Sequence, residues 1–513
     1  MNWNIKQLKK PVKYAIAAAF VVGFFTHHFG LVNVMHNIDD IGQLPSGYGT
    51  GLMSGRWLLT VLGDFLEAVG GNYNLPYLNG LLYLALLACT AGLIVSLFDL
   101  KEPVFAALTG GMVAVFPAAT AALFFRFTSV YYGLSFFLAV LAAWVFGKHK
   151  FGFLASALCI CCSLGLYQGY VPVTISLFVL LLLRRALQGD AQLWQLVRRG
   201  VAYCLTLVLG LLLYYGLLNL CLSTYGVSLS DYNGMNQMGK LALKDLPSLV
   251  YEAIYLFCMM PLKDYCGLAD QPALKIGYLL LALLTAVMLL VVLVKKVKKP
   301  LIIAFAVLMC AVLPVAVNFV IIMSPDAWIY TLMLYAFALI PCVPCLVWEC
   351  LPETTGVMKK GKDILGKTLA AVLALMIFCY GYSANINYTA VYFSNRQVEN
   401  YVNSLVTQIR MAEGFDTHKK WAFLGEPEDP LLRSVWDYEM SYGGAFDTDR
   451  TLEAYSMAGW MWNYIGYLPP SADVQEKAEL TQLAQVREMP CWPDRGSICV
   501  VDDFVVIKFQ EVS

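Results

Sequence analysis

Residues 14–35 read YAIAAAFVVGFFTHHFGLVNVM, and HNIDD follows at once. The apolar run contains no Asp, Glu, Lys or Arg and is long enough to cross a bilayer as a helix. Four lysines between residues 6 and 13 precede it, and a basic flank of this kind holds an N-terminus in the cytoplasm. We therefore expect the acidic pair Asp39 and Asp40 to lie just outside the membrane.

The composition of the whole chain agrees with a membrane protein. Of 513 residues, 59% are hydrophobic and only 14% are charged, and the mean hydropathy is +0.65. These values exclude an ordinary soluble globular protein. Apolar runs predict about eleven spans. They cover roughly residues 14–35, 76–98, 103–125, 130–147, 151–166, 170–183, 200–222, 273–294, 301–323, 328–348 and 364–383.

The distribution of basic residues predicts the orientation of these spans. Connections on the side of the N-terminus carry nineteen Lys and Arg residues, whereas the opposite connections before residue 384 carry six. Cytoplasmic loops are enriched in Lys and Arg, so the N-terminus is expected inside and residues 384–513 outside. The prediction is an all-α polytopic membrane domain, residues 1–383, followed by an extracytoplasmic domain, residues 384–513.

The tail after residue 384 has the composition of a small α/β domain. Strands are predicted at 421–425, 497–501 and 504–509, with Asp502-Asp503 as a hairpin turn between the last two. Helices are predicted at 451–464 and 473–486. Cys491 and Cys499 either form a disulfide in an oxidising compartment or remain two free thiols.

Two further outer segments precede the tail. Residues 57–69 carry apolar side chains at helical spacing, which predicts an amphipathic helix at the membrane surface. Residues 223–272 contain a polar stretch, 231–244, and then an apolar helix at 246–260 that is too short to span.

Asp39 and Asp40 are the strongest candidates for chemistry. Ionised side chains next to lipid are expensive and usually functional, so a general base is one interpretation and a solvated acidic loop is the other. We favour Asp40 as the base because it is closer to the Gly-rich stretch that follows, with Asp39 orienting the acceptor. His36, Asp39 and Asp40 also have i, i+3, i+4 spacing, but Gly42 argues against a stable helix and hence against a metal site. No metal or cofactor is expected.

Arg56 and Arg126 are the strong cations near the outer ends of the first six spans. A guanidinium binds phosphate through paired hydrogen bonds and keeps its charge when partly desolvated. The alternative is snorkelling, in which the stem lies in lipid and the head lies in the interface. Tyr167 and Gln168 lie at a predicted outer turn and either bind a sugar or cap the turn. Trp57 belongs either to the substrate site or to an aromatic belt.

Several of these segments together resemble a known family, the bacterial polytopic glucosyltransferases of O-antigen serotype-conversion loci. The similar segments are Thr26-His27-His28 through Asn37-Ile38-Asp39-Asp40, Gly47-Tyr48-Gly49, Ser54-Gly55-Arg56-Trp57, Gly63-Asp64, Tyr167-Gln168-Gly169-Tyr170 and Pro490–Phe509. The resemblance covers most of the chain. It is most specific in residues 26–64.

The resemblance implies a GT-C glycosyltransferase of the bacterial cytoplasmic membrane. Such an enzyme uses a polyprenyl-phosphate sugar, normally glucose, at the outer leaflet, and an acidic residue of the first outer loop is its base, which here matches Asp39 or Asp40. Its partners are membrane lipid, the lipid-linked donor and a cell-surface polysaccharide acceptor, with no nucleic acid. The runner-up from the residues alone is a transporter or flippase of lipid-linked sugars, although no internal repeat is visible.

Overall fold

A computed structural model of the protein describes residues 8–43, 51–71, 73–148, 150–230, 244–325, 328–353, 355–427 and 452–511. Gly47, Gly49 and most of the predicted polar stretch, residues 231–243, lie outside the described residues. So does Thr451, the predicted start of a tail helix.

The chain divides into two compact units that are described separately. Unit 1 takes the described residues between 8 and 32 and between 51 and 385. Unit 2 takes 33–43 and the described residues from 386 onward. The loop after the first span therefore belongs to the same unit as the tail. The predicted domains, residues 1–383 and 384–513, place this loop with the membrane helices instead.

The described part of unit 1 is built from helices. Many of them begin with proline, which is tolerated at the first helical position because its missing N–H would have no partner there. The helices are α1 (Lys10–Val32), α2 (Trp57–Val69), α3 (Pro76–Phe98), α4 (Pro103–Val115), α5 (Pro117–Phe124), α6 (Ser129–Val145), α7 (Gly152–Leu166), α8 (Val171–Leu187), α9 (Leu193–Tyr225), α10 (Leu246–Met259), α11 (Pro272–Val292), α12 (Pro300–Val317), α13 (Val320–Met323), α14 (Val343–Trp348) and the first part of α15 (Val357–Arg410). Shorter 3₁₀ or π turns lie at Leu52–Ser54, Gln168–Tyr170, Leu293–Val297 and Thr331–Cys342.

Several of these helices have the dimensions of membrane spans. Within the described ranges, nine helical segments are long and apolar enough to cross a bilayer. Two further predicted spans correspond to α6 and α7, which have 17 and 15 residues and fall below that length. A multi-pass membrane protein follows from these helices, and the count of eleven stays a prediction.

Two predicted spans differ from the helices of the structure. The span predicted to run to residue 323 is interrupted after Val317 and resumes as the short helix α13. The last span was predicted to end at residue 383, but α15 continues to Arg410. Residues 384–410 contain neither Gly nor Pro, and buried apolar side chains recur there at helical spacing, so the loss of membrane hydropathy does not end the helix. The helices predicted at 57–69 and 246–260 are confirmed as α2 and α10.

Helices α1 and α4 pack with their backbones close together. A Cβ atom added at Gly110 would lie 2.2 Å from the carbonyl oxygen of Ala15. One added at Gly23 would lie 3.1 Å from the Cβ of Ala114. Small residues at such contacts let membrane helices gain dispersion energy over a large area without a hydrophobic driving force.

Unit 2 contains a small sheet built from the three predicted strands. Its strands are β1 (Lys420–Leu424), β2 (Ile498–Val501) and β3 (Phe504–Lys508). The order is β1-β3-β2, with β1 parallel and β2 antiparallel to β3. Asp502, at φ 51°, lies in the hairpin turn between β2 and β3. The helical elements are the C-terminal part of α15, a 3₁₀ turn at Ile41–Gln43, α16 (Ala454–Trp460), a π turn at Met461–Ile465, α17 (Val474–Gln482) and α18 (Ala484–Arg487).

The strands alternate between two apolar cores, one on each face of the sheet. Trp421 and Ile507 point to the face covered by α15 and α16, where Ile41 is also buried. Ala422 and Val506 point to the opposite face, where α17 and α18 contribute side chains. This period of two is what a strand buried on both faces requires.

The two tail cysteines are separate thiols in the structure. The Cys491 Sγ lies 3.7 Å from Glu511 Oε1, and the Cys499 Sγ lies 3.1 Å from Met489 Sδ. Burial raises the pKa of the Cys499 thiol, which keeps it in the less reactive protonated form.

Candidate functional site

The loop after α1 is shaped by Asn37. Its side-chain oxygen accepts hydrogen bonds from the backbone N–H of Asp39 at 3.0 Å and of Asp40 at 2.7 Å. An Asn side chain that binds the backbone in this way imitates a turn. The 3₁₀ turn Ile41–Gln43 follows directly. The turn thus fixes the direction in which Asp40 leaves the backbone.

Asp40 pairs with His36 inside unit 2. The Nδ1 atom of His36 lies 2.8 Å from Asp40 Oδ2, and both side chains are fully buried. The Nε2 atom of His36 lies 2.9 Å from the hydroxyl oxygen of Tyr464. A carboxylate accepts from an Nδ1–H, and in that tautomer Nε2 accepts from the phenol. The three side chains form one continuous chain of hydrogen bonds.

The backbone around His36 is held by α15. Asn395 accepts from the His36 N–H at 2.7 Å and donates to the His36 carbonyl at 3.0 Å. This two-way amide contact copies a β-bridge and fixes the position of the imidazole.

The tail segment that carries Tyr464 packs closely on the same loop. A Cβ atom on Gly459 would lie 2.8 Å from the Ile41 carbonyl oxygen, so only glycine permits this approach. Asn463 donates to the same carbonyl at 3.3 Å. Burial, chiefly, raises the pKa of Tyr464 to about 12, and its phenol is therefore protonated at neutral pH.

Asp39 differs from Asp40 in exposure, since its side chain is partly exposed. The two acids therefore have separate environments, although they are adjacent in sequence. Both ring nitrogens of His36 have protein partners. In the described part of the chain, no group of three His, Cys, Asp or Glu residues is arranged to hold a metal.

A second cluster lies in unit 1 around Arg56. Gly55, at φ +74°, ends the 3₁₀ turn Leu52–Ser54 and turns the chain into α2. A Cβ there would lie 2.7 Å from both the Gln168 Nε2 and the Tyr214 hydroxyl. Gln168 donates to the Ser54 carbonyl at 2.8 Å, and Tyr214 donates to the Gly55 carbonyl at 3.0 Å. Gln168 and Tyr214 therefore clamp the backbone that presents Arg56.

The Arg56 guanidinium lies over an aromatic ring and has no counter-ion among the described residues. Its central carbon is 5.1 Å from the centroid of the Tyr167 ring. Its Nε atom is buried without a hydrogen-bond partner in the described residues. A half-buried cation whose Nε has no partner in that part of the chain favours binding an anion.

The structure places the other predicted site residues of unit 1 around this cluster. Tyr167 and Gln168 lie at the turn between α7 and α8, as predicted, but each is only 4% exposed. Trp57 begins α2, is 8% exposed and packs against Gly165, which argues against an interfacial belt position.

Arg126 is buried, and the snorkelling alternative is therefore wrong for it. Its side chain is 1% exposed, its Nε donates to the Leu123 carbonyl at 3.2 Å, and its Nη2 donates to the Gly30 carbonyl. Both carbonyls lie near helix C-termini, which attract cations because the backbone dipoles end there. Its predicted role as a phosphate ligand stays a prediction.

The sequence prediction missed Tyr464, Asn395 and Tyr214. Tyr464 and Asn395 lie 428 and 359 residues from His36 along the chain. The spacing of residues along the sequence does not predict contacts over such distances. Tyr214 is one of many aromatic residues inside an apolar helix, where the residue type alone predicts only packing.

The sequence also matches a known protein family. A family model described as glucosyl transferase GtrII matches residues 28–340, which is more than half of the chain. None of the curated proteins compared with the chain matches it. The matched region includes His36, Asp40, Arg56, Tyr167 and Gln168, and it confirms the resemblance found in the sequence. The chain belongs to the glucosyl transferase GtrII family.

Proposed function

We propose that this protein transfers glucose from a polyprenyl-phosphate donor to a cell-surface glycan at the outer face of the bacterial cytoplasmic membrane. The family match supports a glucosyl transferase, and the apolar helices support a membrane-embedded substrate. The proposed donor class rests on Arg56, whose guanidinium lies over Tyr167 and whose buried Nε has no hydrogen-bond partner among the described residues. A sugar linked to a lipid phosphate supplies the matching anion inside the membrane.

The donor phosphate is assigned to Arg56. As the bond between the anomeric carbon and the phosphate oxygen breaks, negative charge accumulates on the phosphate, and a fixed guanidinium stabilises that charge most in the transition state. The Tyr167 ring lies under this cation, and we assign Trp57, the next residue after Arg56, to the same substrate site. Arg126 has its donors on helix-end carbonyls, so we assign it the indirect role of holding α1 and α5 together rather than direct contact with the donor.

The acceptor hydroxyl is assigned to the loop after α1. The pair of Asp40 and His36 supplies the basicity, because a buried carboxylate stabilises the imidazolium that forms when His36 takes a proton. Asp39, which is partly exposed, orients the acceptor. A single displacement with the base on the face opposite the leaving phosphate inverts the anomeric centre, as in inverting glycosidases.

Substituting Arg56 tests the donor assignment. Arg56→Ala removes a charge-assisted contact of about 1.5–3 kcal/mol, so affinity for a polyprenyl-phosphate sugar should fall by about ten- to a hundredfold. Arg56→Lys keeps the charge without the two-pronged geometry and should bind with intermediate affinity. Binding of purified protein to a fluorescent polyprenyl-phosphate glucose measures both.

A matched control for Arg56 is Arg199. Its guanidinium also lies over a tyrosine, 5.8 Å from the Tyr203 centroid, but on a connection predicted to be cytoplasmic. Arg199→Ala should leave donor affinity unchanged. Equal affinity of Arg56→Ala and the unmodified protein would remove Arg56 from the donor site.

The function itself is tested with the purified full chain and radiolabelled polyprenyl-phosphate glucose. Transfer of label to polysaccharide from the producing cell is the expected result. Movement of the labelled lipid between the leaflets of a vesicle without transfer would instead support the flippase alternative.

The proposed orientation predicts that residue 475 faces the outside of the cell. Gln475 is exposed in α17, so Gln475→Cys in a background without other cysteines should react with an impermeant thiol reagent in intact cells. Asp363→Cys, in an exposed position of a connection predicted to be cytoplasmic, should react only after lysis. Protection of residue 475 until lysis would contradict the orientation derived from the basic residues.

A further inference from the structure

Only one member of the hydrogen-bond chain around His36 has appreciable surface. The Asp40 and His36 side chains are both 0% exposed, whereas Tyr464 is 36% exposed. An acceptor sugar in contact with unit 2 therefore meets the tyrosine and not the two groups that provide the basicity. Since proton transfer needs hydrogen-bond contact, the buried pair requires an intermediary at the surface.

We propose that Tyr464 is a catalytic residue that takes the proton of the acceptor hydroxyl and passes its own phenolic proton to His36. This inference rests on the proposed glucosyl transfer and deepens it, because it identifies the group through which the buried pair acts. It also gives the tail a part in the reaction. Residues 386–513 lie beyond the region that the family model matches.

The proton transfer balances in one step. The acceptor O–H bond breaks as a new O–H bond forms on the Tyr464 oxygen, and the original phenolic proton crosses the hydrogen bond to His36 Nε2, whose oxygen–nitrogen distance is 2.9 Å. The acceptor oxygen bonds to the anomeric carbon, and the lipid phosphate leaves with the electron pair of the broken bond. His36 is then an imidazolium whose Nδ1–H faces the Asp40 carboxylate at 2.8 Å. The site is restored when Tyr464 releases its hydroxyl proton to water and takes back the Nε2 proton of His36.

The surroundings keep Tyr464 suited to a relay. Its phenol must stay protonated between turnovers, and burial first, then the charges of Glu399 and Asp40, raise its pKa, while Arg396 opposes them. Glu399 and Arg396 lie on α15, so charges from α15 and from the loop both act on this hydroxyl. Tyr464 therefore accepts one proton as it gives up another, and it does not accumulate as a phenolate.

A double substitution distinguishes a proton relay through Tyr464 and His36 from a purely structural role of these residues. Tyr464→Phe removes the hydroxyl alone, and His36→Asn keeps an N–H donor near the Nδ1 position for Asp40 but loses Nε2. Each variant should lower kcat for transfer by about a hundredfold, the lower end for general base catalysis, with the KM for donor unchanged. Because both break one chain, the double variant should lose no more than either single variant.

Tyr467→Phe is the matched control. Tyr467 lies three residues away in the same segment, and its hydroxyl donates to the Thr417 carbonyl at 3.0 Å. Its removal should leave kcat within about twofold, since surface substitutions away from a site change little.

The outcomes separate this inference from the proposed function. If the unmodified protein transfers glucose and Tyr464→Phe keeps its kcat, Tyr464 is not the relay, and loss of kcat in Asp39→Asn would identify direct proton removal by Asp39. Multiplying losses in the double variant would also overturn the relay, since they indicate two independent structural effects. If the unmodified protein transfers no glucose, the proposed function itself fails.

Discussion

Asp40→Asn is expected to lower glucosyl transfer at least a hundredfold in a protein that still folds, inserts and binds the lipid-linked donor. The asparagine has the same shape and can stay hydrogen-bonded to His36, so the packing of the loop is preserved. It carries no charge to stabilise the imidazolium, and its amide can hold the ring in the wrong tautomer. Removing general base assistance typically costs 10²–10⁴ in rate. Initial rates of transfer, with donor binding measured in parallel, give the comparison.

Asp39→Asn is the natural partner of that experiment. As the partly exposed neighbour, Asp39 is expected to affect the KM for acceptor more than kcat. A hundredfold loss of kcat in Asp39→Asn alone would reverse the two roles. Normal transfer by both single variants and by the double variant would show that this loop is not the catalytic one.

Gly110→Ala should prevent α1 and α4 from packing. The added Cβ would lie 2.2 Å from the Ala15 carbonyl oxygen, and a backbone atom has no rotamer by which to move away. The helices would have to separate along their length, which sacrifices the dispersion contacts that hold membrane helices together. We expect most of the variant to be lost as aggregate when detergent extracts are analysed by size-exclusion chromatography.

Gly216→Ala supplies the control for this prediction. Gly216 also lies inside a long apolar helix, α9, but an added Cβ would have nothing within 4 Å. Alanine is the better helix former, so this variant should be as stable as the unmodified protein or more so. Equal yields of monodisperse protein from both variants would show that α1 and α4 are not in backbone contact.

The elements predicted correctly are those governed by neighbours in sequence. Alternating apolar residues around Asp502-Asp503 predict the β2–β3 hairpin because each strand and the turn depend on a few adjacent side chains. Apolar runs predict the membrane helices for the same reason. The end of α15 was missed because membrane hydropathy stops near residue 383 while helical periodicity and buried contacts continue to Arg410.

The candidate site was predictable only in part. The sequence identifies Asp40 and Arg56 as charged residues beside apolar runs, where ionised groups require a reason, but it suggests His36 only as a metal ligand. The i, i+4 spacing of His36 and Asp40 was noticed as a helical pattern, but an Asn37 turn brings them together instead. Tyr464 joins them through tertiary contacts across 428 residues, which no local pattern encodes.

The role of Arg126 could not be predicted from the sequence either. Its sequence position, at the end of an apolar run, is equally typical of a snorkelling residue and of an anion ligand. Only the packing of α1 against its neighbours brings the Gly30 carbonyl to the guanidinium. The role of such a charged residue therefore depends on which backbone groups lie next to it in the folded protein.

The order of strands means that the sheet can form only at the end of synthesis. β3 lies between β1 and β2 and is the last of the three to be translated. Neither outer strand has its main pairing partner before residue 508 has left the ribosome. Val505, Ile507 and Phe509 also belong to the core that buries Ile41, a residue made at the very start of synthesis. A chain that stops before β3 therefore leaves this core incomplete however much of the membrane part has been inserted, so an interrupted product is exposed to proteolysis as an unfolded tail.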